Sequence, residues 1–438
     1  MSYCAIDFGT SNSAIAIPSN GDQGMRLVPL ENGQPTMPTA VFYCTDADDL
    51  PPAAHRPPIP ELPRAFGRAA VQAYVDGYEG RLMRSMKSVL GTALIDQTTE
   101  VGHGHGVKYL DIVTGYLRHL RTLAEADGGQ ALSHVVLGRP VFFVDDEPAR
   151  DAQAQASLEA AARAVGFTDI AFQYEPIAAA LDHEQRAERE EIVLVADIGG
   201  GTSDFSVVRV GPDRAKRLDR RDDILANHGV HIAGTDFDRR VSLGSVMPPL
   251  GFGAFGPEVK GQPARPVPSR VYFDLSTWHL VNTVYAPQRV AELANMVDFY
   301  GEPVHHQRLM STVRHRLGHA LLGRAEGAKI AVAEHGTADI DLGMVEAGLA
   351  SHLDAPGMAQ ALRDDLERIV ACARDTVARA GLKPEDLDAL YFTGGSTGLG
   401  LLTDGLAAAF PTARAARGDR LASVATGLGL YAKRLFGG

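Results

Sequence analysis

Two short stretches of this chain carry the residue types that bind phosphate: Asp7-Phe8-Gly9-Thr10-Ser11 near the start, and Asp197-Ile198-Gly199-Gly200-Gly201-Thr202-Ser203-Asp204 in the middle. Each follows a short apolar, β-leaning run (Tyr3 to Ile6, Ile192 to Ala196) and leads into another (Ala14 to Ile17, Phe205 to Val210), which reads as strand, tight glycine turn, strand. Glycines let backbone N–H groups crowd round phosphate oxygens. The hydroxyls of Thr10, Ser11, Thr202 and Ser203 add donors, and Asp7, Asp197 and Asp204 supply oxygens of the kind that hold magnesium, mainly through its waters. Two such hairpins facing each other would clamp the phosphates of one nucleotide.

A twice-used fingerprint in 438 residues points to two similar halves. Apolar residues make up 45% of the chain and charged residues 22%, as in ordinary globular proteins. The net charge of −12 argues against nucleic acid or an anionic membrane as partner. No run approaches a membrane-spanning length, Met1 to Ala5 carries no basic n-region and runs straight into the first hairpin, so no cleavable leader is expected, and Cys4, Cys44 and Cys372 are too scattered for a disulfide framework or zinc site. A cytoplasmic monomer is expected.

The coarse reading along the chain is α/β. Residues 46 to 63 are Pro-rich and read as a surface loop. Helical spacing appears from Gly106 to Asp127, Ala152 to Val165, after Glu175-Pro176, and over Ala286 to Tyr300, Arg308 to Ala333, Met358 to Ala380 and Ala422 to Leu435. Strands are expected at His134 to Leu137 and Ala389 to Phe392. The charged stretch from Gln185 to Glu191 marks the junction, giving a first lobe over 1–190 with an inserted subdomain at about 35–105. The second lobe, 191–438, has an insertion at about 240–325 and a final helix at about 420–438 that packs back on the first lobe. Trp278, the only tryptophan, reads as an anchor for its own insertion. The histidines His103, His105, His305, His306, His315 and His319 read as surface or packing residues.

The ordered set Ile6 to Ser13, Arg139-Pro140-Val141-Phe142-Phe143, Tyr174-Glu175-Pro176 with its alanine run, Asp197 to Asp204, Gly234-Thr235-Asp236-Phe237-Asp238, Glu326-Gly327-Ala328-Lys329-Ile330 and Gly394-Gly395-Ser396-Thr397 resembles the ATPase domain of the DnaK-type seventy-kilodalton heat-shock chaperones. The stretch Arg81 to Lys87, the Trp-bearing insertion and the end after Tyr431-Ala432-Lys433-Arg434 look most like the short YegD-like branch, which lacks a peptide-binding domain.

The resemblance implies an actin-like ATPase fold: two duplicated ribonuclease-H-like lobes around a nucleotide cleft. It also implies ATP or ADP with magnesium as ligands, slow hydrolysis coupled to lobe closure, and a protein partner or unfolded client. Lys87 matches the catalytic lysine beside the γ-phosphate and Glu175 the glutamate that orients water and the metal shell. Asp7 and Asp197 match the magnesium carboxylates, Asp197 being also the proton acceptor. Thr10, Ser11 and Thr202 match the phosphate-contacting hydroxyls, with Gly9, Asn12, Gly199, Gly200, Gly201 and Ser203 in the same turns. Gly229, Gly234, Glu326, Lys329, Gly394, Gly395 and Ser396 fall around ribose and adenine. Two positions depart: Gly398 stands where the family places an arginine that stacks on adenine, and Ala333 where it places a serine. Alternatives of other classes are a filament-forming actin relative, a small-molecule kinase of the same superfold, and a nucleotide-binding scaffold that does not hydrolyse.

Overall fold

The computed structural model describes residues 2–19, 24–46, 50–51, 62–102, 104–144, 147–258, 263–418 and 423–437. Most of the Pro-rich loop (Pro52, Pro57, Pro58, Pro60) and His103 lie outside the described residues.

The first half begins with a meander, β1 (Tyr3–Phe8), β2 (Asn12–Pro18) and β3 (Met25–Leu27), with β4 (Thr36–Pro38) paired to β2. The chain then makes an excursion: β5 (Ala40–Cys44), β6 (Arg64–Phe66), α1 (Gly67–Asp76) and β7 (Gly80–Arg84), with the three strands in order β6-β5-β7. A 3-10 turn at Met86–Val89 and the hairpin β8 (Thr98–Gly102) with β9 (His105–Lys108) follow. From there α2 (Tyr109–Gly128), β10 (His134–Arg139), α3 (Pro148–Val165), β11 (Asp169–Tyr174) and α4 (Glu175–Glu184) complete the half. β10 runs parallel to β1 and β11 parallel to β10, so the sheet order is β11-β10-β1-β2-β3. The residues of β1 are buried almost without alternation, as expected for a strand covered on both faces.

The second half repeats this plan. β12 (Glu191–Ile198), β13 (Ser203–Val210) and β14 (Ile224–Val230) form the meander. Its excursion is helical: α5 (Gly234–Val241), α6 (Arg270–Leu275), α7 (Pro287–Ala294), α8 (Pro303–Arg314) and α9 (Gly318–His335). The hairpin β15 (Thr337–Asp341) with β16 (Ala350–Asp354), then α10 (Ala355–Arg379), β17 (Ala389–Thr393), α11 (Gly400–Ala409), β18 (Arg414–Arg417) and α12 (Ser423–Phe436) close the chain. The order β14-β13-β12-β17-β18 matches the first sheet strand for strand, with the last two again parallel. Two such sheets, each meander followed by crossovers, are the duplicated ribonuclease-H-like lobes of the actin-like ATPase fold.

Each sheet has its own core, and a third cluster lies between them, built from α4, α12 and the inner faces of both sheets. There α12 packs on α4, β1 and β10, so closely that a Cβ on Gly427 would stand 1.8 Å from the Ala178 carbonyl oxygen. Among the described residues no helix is long and apolar enough to cross a membrane.

Three helices differ from the sequence expectation. The helix read from Arg308 to Ala333 is two, α8 and α9, because Arg316 turns left-handed (φ 53°) and Gly318 fits under the Val281–Tyr285 turn, its N–H donating to the Tyr285 hydroxyl at 2.8 Å. The helix expected to reach Tyr300 stops at Ala294 and resumes as a 3-10 turn at Val297–Phe299. Gly106 to Lys108 belong to β9, so α2 starts only at Tyr109.

Candidate functional site

Both fingerprints are the tips of the two central hairpins. In the first, Asp7 pairs with Ala14 and Phe8 with Ser13, and the turn is tight enough that a Cβ on Gly9 would lie 2.2 Å from the Asn12 carbonyl oxygen. Thr39 braces this tip: its hydroxyl donates to the Gly9 carbonyl at 2.7 Å and its N–H to that of Ser11 at 2.9 Å. In the second, Asp197 pairs with Asp204 and Ile198 with Ser203. The Gly199 carbonyl accepts from the Ser396 hydroxyl at 2.7 Å and the Gly234 N–H at 3.2 Å, and the Gly200 carbonyl accepts from both the N–H and hydroxyl of Thr235 at 2.8 Å. The tips face each other, since a Cβ on Gly200 would be 3.0 Å from Ser11 Oγ, whereas Cβ positions on Gly199 and Gly201 meet open space.

Between the tips, acids from different elements converge on one lysine. Lys87, in the 3-10 turn after β7, meets Glu175, the first residue of α4, with Nζ to Oε1 at 2.5 Å and side chains only 10% and 15% exposed. Burial pushes the Asp7 carboxyl up to about 8, helped by the negative charges of Glu175 and Asp197 and opposed by Lys87. Burial likewise raises Asp197 to about 7, with Asp204 and Glu175 adding to it. Asp204 is also raised by burial, although the Thr202 hydroxyl donates to its Oδ2 at 2.7 Å. For Lys87, burial favours the neutral amine, but Glu175, Asp7 and Asp197 outweigh it and hold the ammonium charged. Four carboxyl groups near one ammonium cannot all ionise without further positive charge.

Glycines shape the walls. Gly394, at φ 87°, lies where a Cβ would be 2.7 Å from Asp197 Oδ1, and one on Gly229 would be 2.4 Å from Asp204 Oδ1. Gly394 leads into the 3-10 turn Gly395–Gly398. On α9, exposed Glu326 stands one turn before Lys329, whose Nζ pairs with Asp238 Oδ1 at 2.6 Å; burial raises Asp238 to about 6 despite that partner. Thr10 and Asn12 are exposed at the first tip. Ser203 corrects the expectation: its side chain is fully buried and its hydroxyl donates to the Ile232 carbonyl at 2.7 Å, so that hydroxyl serves the lobe rather than the tip.

The mouth of the cleft brings together Tyr74, which the sequence reading did not single out, with Arg84, Trp278 and His319, which it read in other roles. Tyr74 of α1 stacks on Trp278 with centroids 5.1 Å apart, the Arg84 guanidinium lies 4.3 Å from the Trp278 ring centre, and His319 of α9 meets both rings edge-on. Trp278 therefore bridges the two excursions as well as packing on His319 of its own. Its uniqueness in the chain was the only signal available.

Comparison with known proteins agrees with this geometry. A family profile described as Hsp70 protein matches residues 3–243, more than half of the chain. The chain is similar to the chaperone protein DnaK of Thermosipho melanesiensis, 29% identical over 238 residues, which cover 54% of this chain and 34% of that one. The match thus spans about a third of the length of the curated relative. Since the profile takes in both hairpins together with the lysine and glutamate between them, the chain belongs to the Hsp70 family.

Proposed function

We propose that the cleft binds ATP with magnesium and hydrolyses it slowly, the lobes closing on the nucleotide, and that this cycle serves a cytoplasmic chaperone-type switch acting on a protein partner or unfolded client. The observation that carries the reading is the convergence of Asp7, Glu175, Asp197 and Asp204 on Lys87 between two facing glycine turns. Phosphoryl transfer asks mainly for positioning and charge compensation. Lys87 would balance charge at the γ-phosphate and, with Glu175, place the attacking water. Asp197, raised toward neutrality, suits proton acceptance. The hydroxyls of Thr10, Ser11 and Thr202 and the open space over Gly199 and Gly201 suit phosphate oxygens.

The donor set fits magnesium: three aspartates stand closer together than their charges prefer, and a hydrated divalent cation relieves that crowding. Among the described residues no three His, Cys, Asp or Glu side chains form a ready-made cation cage, so Asp7, Asp197 and Asp204 would hold the ion through its waters. When bound, magnesium supplies charge neutralisation at the phosphates.

The test is calorimetric titration of ATP and ADP with and without magnesium, followed by single-turnover hydrolysis. Magnesium-dependent binding with slow turnover is expected, and Lys87→Ala or Glu175→Ala should slow hydrolysis roughly 100-fold. Unchanged hydrolysis in both variants overturns the mechanism. Absence of binding, with Gly398 and Ala333 in place of two adenine contacts, turns the reading to a scaffold.

A further inference from the structure

Glu175 opens α4, so the direction of its carboxylate depends on Tyr174, the last residue of edge strand β11. The register partner of Tyr174 on β10 is Arg139. This arginine is buried, with its guanidinium 5.1 Å from the Tyr174 ring centre and 5.3 Å from that of Phe143. All three of its nitrogens are engaged: Nε donates to the Pro140 carbonyl at 3.1 Å, Nη1 to Gln155 Oε1 at 2.5 Å, and Nη2 to Asp151 Oδ2 at 2.8 Å and the Val141 carbonyl at 3.1 Å. Asp151 uses its other oxygen to accept the Phe143 N–H at 2.6 Å. A planar fork used in this way cannot shift without breaking several bonds together.

The residue before it lies directly against the glutamate. A Cβ on Gly138 would stand 3.3 Å from Glu175 Cγ and 3.4 Å from Oε1, the oxygen that meets Lys87. The lysine is tied to the same place from its own side. Arg150, next to Asp151 on the first turn of α3, donates Nε to the Gly91 carbonyl at 2.8 Å, just past the turn that carries Lys87.

We propose that Gly138 and Arg139 are positioning residues for Glu175, anchored through Asp151 to the same turn of α3 that holds the Lys87 segment through Arg150. Neither residue touches the reacting atoms; they set where the glutamate stands. The inference rests on the ATPase reading above. A shift of about 1 Å in such a group is enough to slow chemistry by about 100-fold.

The experiment uses the full chain and measures the single-turnover rate constant and the ATP dissociation constant for Arg139→Met, Arg139→Lys and Gly138→Ala, each alone and with Glu175→Gln. Arg139→Met is expected to slow hydrolysis about 10- to 100-fold while changing ATP affinity less than about 3-fold, and Arg139→Lys to recover part of the rate. In the Glu175→Gln background the further loss should be under about 2-fold, because the group being positioned is gone. Equal losses in both backgrounds, or an unchanged rate, overturn the proposal. If Arg139→Met does not fold, Gly138→Ala, which adds one methyl group between Leu428 Cδ1 at 3.0 Å and Glu175 Cγ at 3.3 Å, carries the same cycle, since a loss that came only from the Leu428 contact would persist in the Glu175→Gln background. A parent chain without turnover overturns the ATPase reading and this inference together; a parent whose turnover needs Glu175 but whose Arg139 loss ignores it overturns the inference alone.

Discussion

The back of the cleft and its mouth are both places where the two halves meet, yet they are built from opposite materials. At the back, α4 and α12 cross through small residues, Gly427 lying against the Ala178 backbone. Beside them the 211–223 segment is fastened to α4 by Arg220, whose Nη1 and Nη2 reach the two oxygens of Glu184 at 3.0 and 2.8 Å while its Nε bonds to Asp223. The Arg220, Glu184 and Asp223 side chains are each 1% exposed. The same segment accepts from α12, the Tyr431 hydroxyl donating to the Leu218 carbonyl at 3.2 Å and Arg434 to that of Ala215 at 2.7 Å. At the mouth, by contrast, the joined groups are side chains alone: Tyr74, Arg84, Trp278 and His319. Aromatic and cation–π contacts of this kind contribute about 0.5–1.5 kcal/mol each, whereas breaking a buried ion pair costs about 3–5 kcal/mol. The back is therefore bound more firmly than the mouth.

The sharpest way to break this contrast is Arg220→Met. It leaves buried Glu184 with no cation and only the Gly211 N–H at 3.0 Å, and Asp223 with Arg214 alone, whose Nη1 lies 2.5 Å from Asp223 Oδ1. The expected loss is about 3–5 kcal/mol in chemical denaturation, with part of it recovered when Glu184 is also made Leu, since replacing the whole pair by apolar groups removes the unpaired charge. A loss under about 1 kcal/mol would mean that the back is no firmer than the mouth.

The parts of this architecture that were legible in the sequence are the local ones. Asp7 to Ser11 and Asp197 to Asp204 carry strand, turn and phosphate chemistry within a few residues, so spacing alone reveals them. Lys87 and Glu175 are far apart in the chain, and only the family resemblance brought them together; their ion pair is a product of tertiary structure. Ser203 looked like a phosphate donor because composition cannot say which way a hydroxyl faces once it pairs opposite Ile198. The break at Arg316 was hidden because apolar spacing continues across it, while the close fit of Gly318 under Tyr285 comes from a neighbour in space. Arg139 shows the same limit, as its partners are set by the register of β10 with β11 and by the first turn of α3.

A smaller effect should separate mouth from back in the other direction. Tyr74→Ala removes the ring stacked on Trp278 but no buried charge, so global stability should change by no more than about 1 kcal/mol. Trp278 should then emit further to the red as its ring gains water, and a fluorescent ATP analogue should leave the cleft several-fold faster. Unaltered emission together with unaltered release would show that these rings do not hold the mouth.

The finest test is pH. His319 is held below its ordinary value of about 6.5, first by burial and then by Arg84, with the Trp278 carbonyl, 3.2 Å from Nε2, pulling the other way. A carbonyl only accepts, so Nε2 carries the proton and donates to it, leaving Nδ1 unprotonated in the neutral ring. Around it stand Tyr74 of α1, Arg84 of β7 and Trp278, and the charge of Glu326 on α9 acts in turn on Arg84. A histidine whose folded value is lowered adds stability that is complete above the free value and declines as pH falls below it, because the parted state takes up the proton more readily. The mouth contact should accordingly be intact at pH 7.5 and loosen toward pH 5.5, seen as a reversible red shift of Trp278 emission. His319→Gln should flatten that profile while leaving the emission at pH 7.5 near the parent's, since the amide can still donate to the Trp278 carbonyl. A parent profile flat over the same range would mean that the imidazole does not sense whether the halves are joined, and that the mouth is held by the contacts of Tyr74 and Arg84 without it.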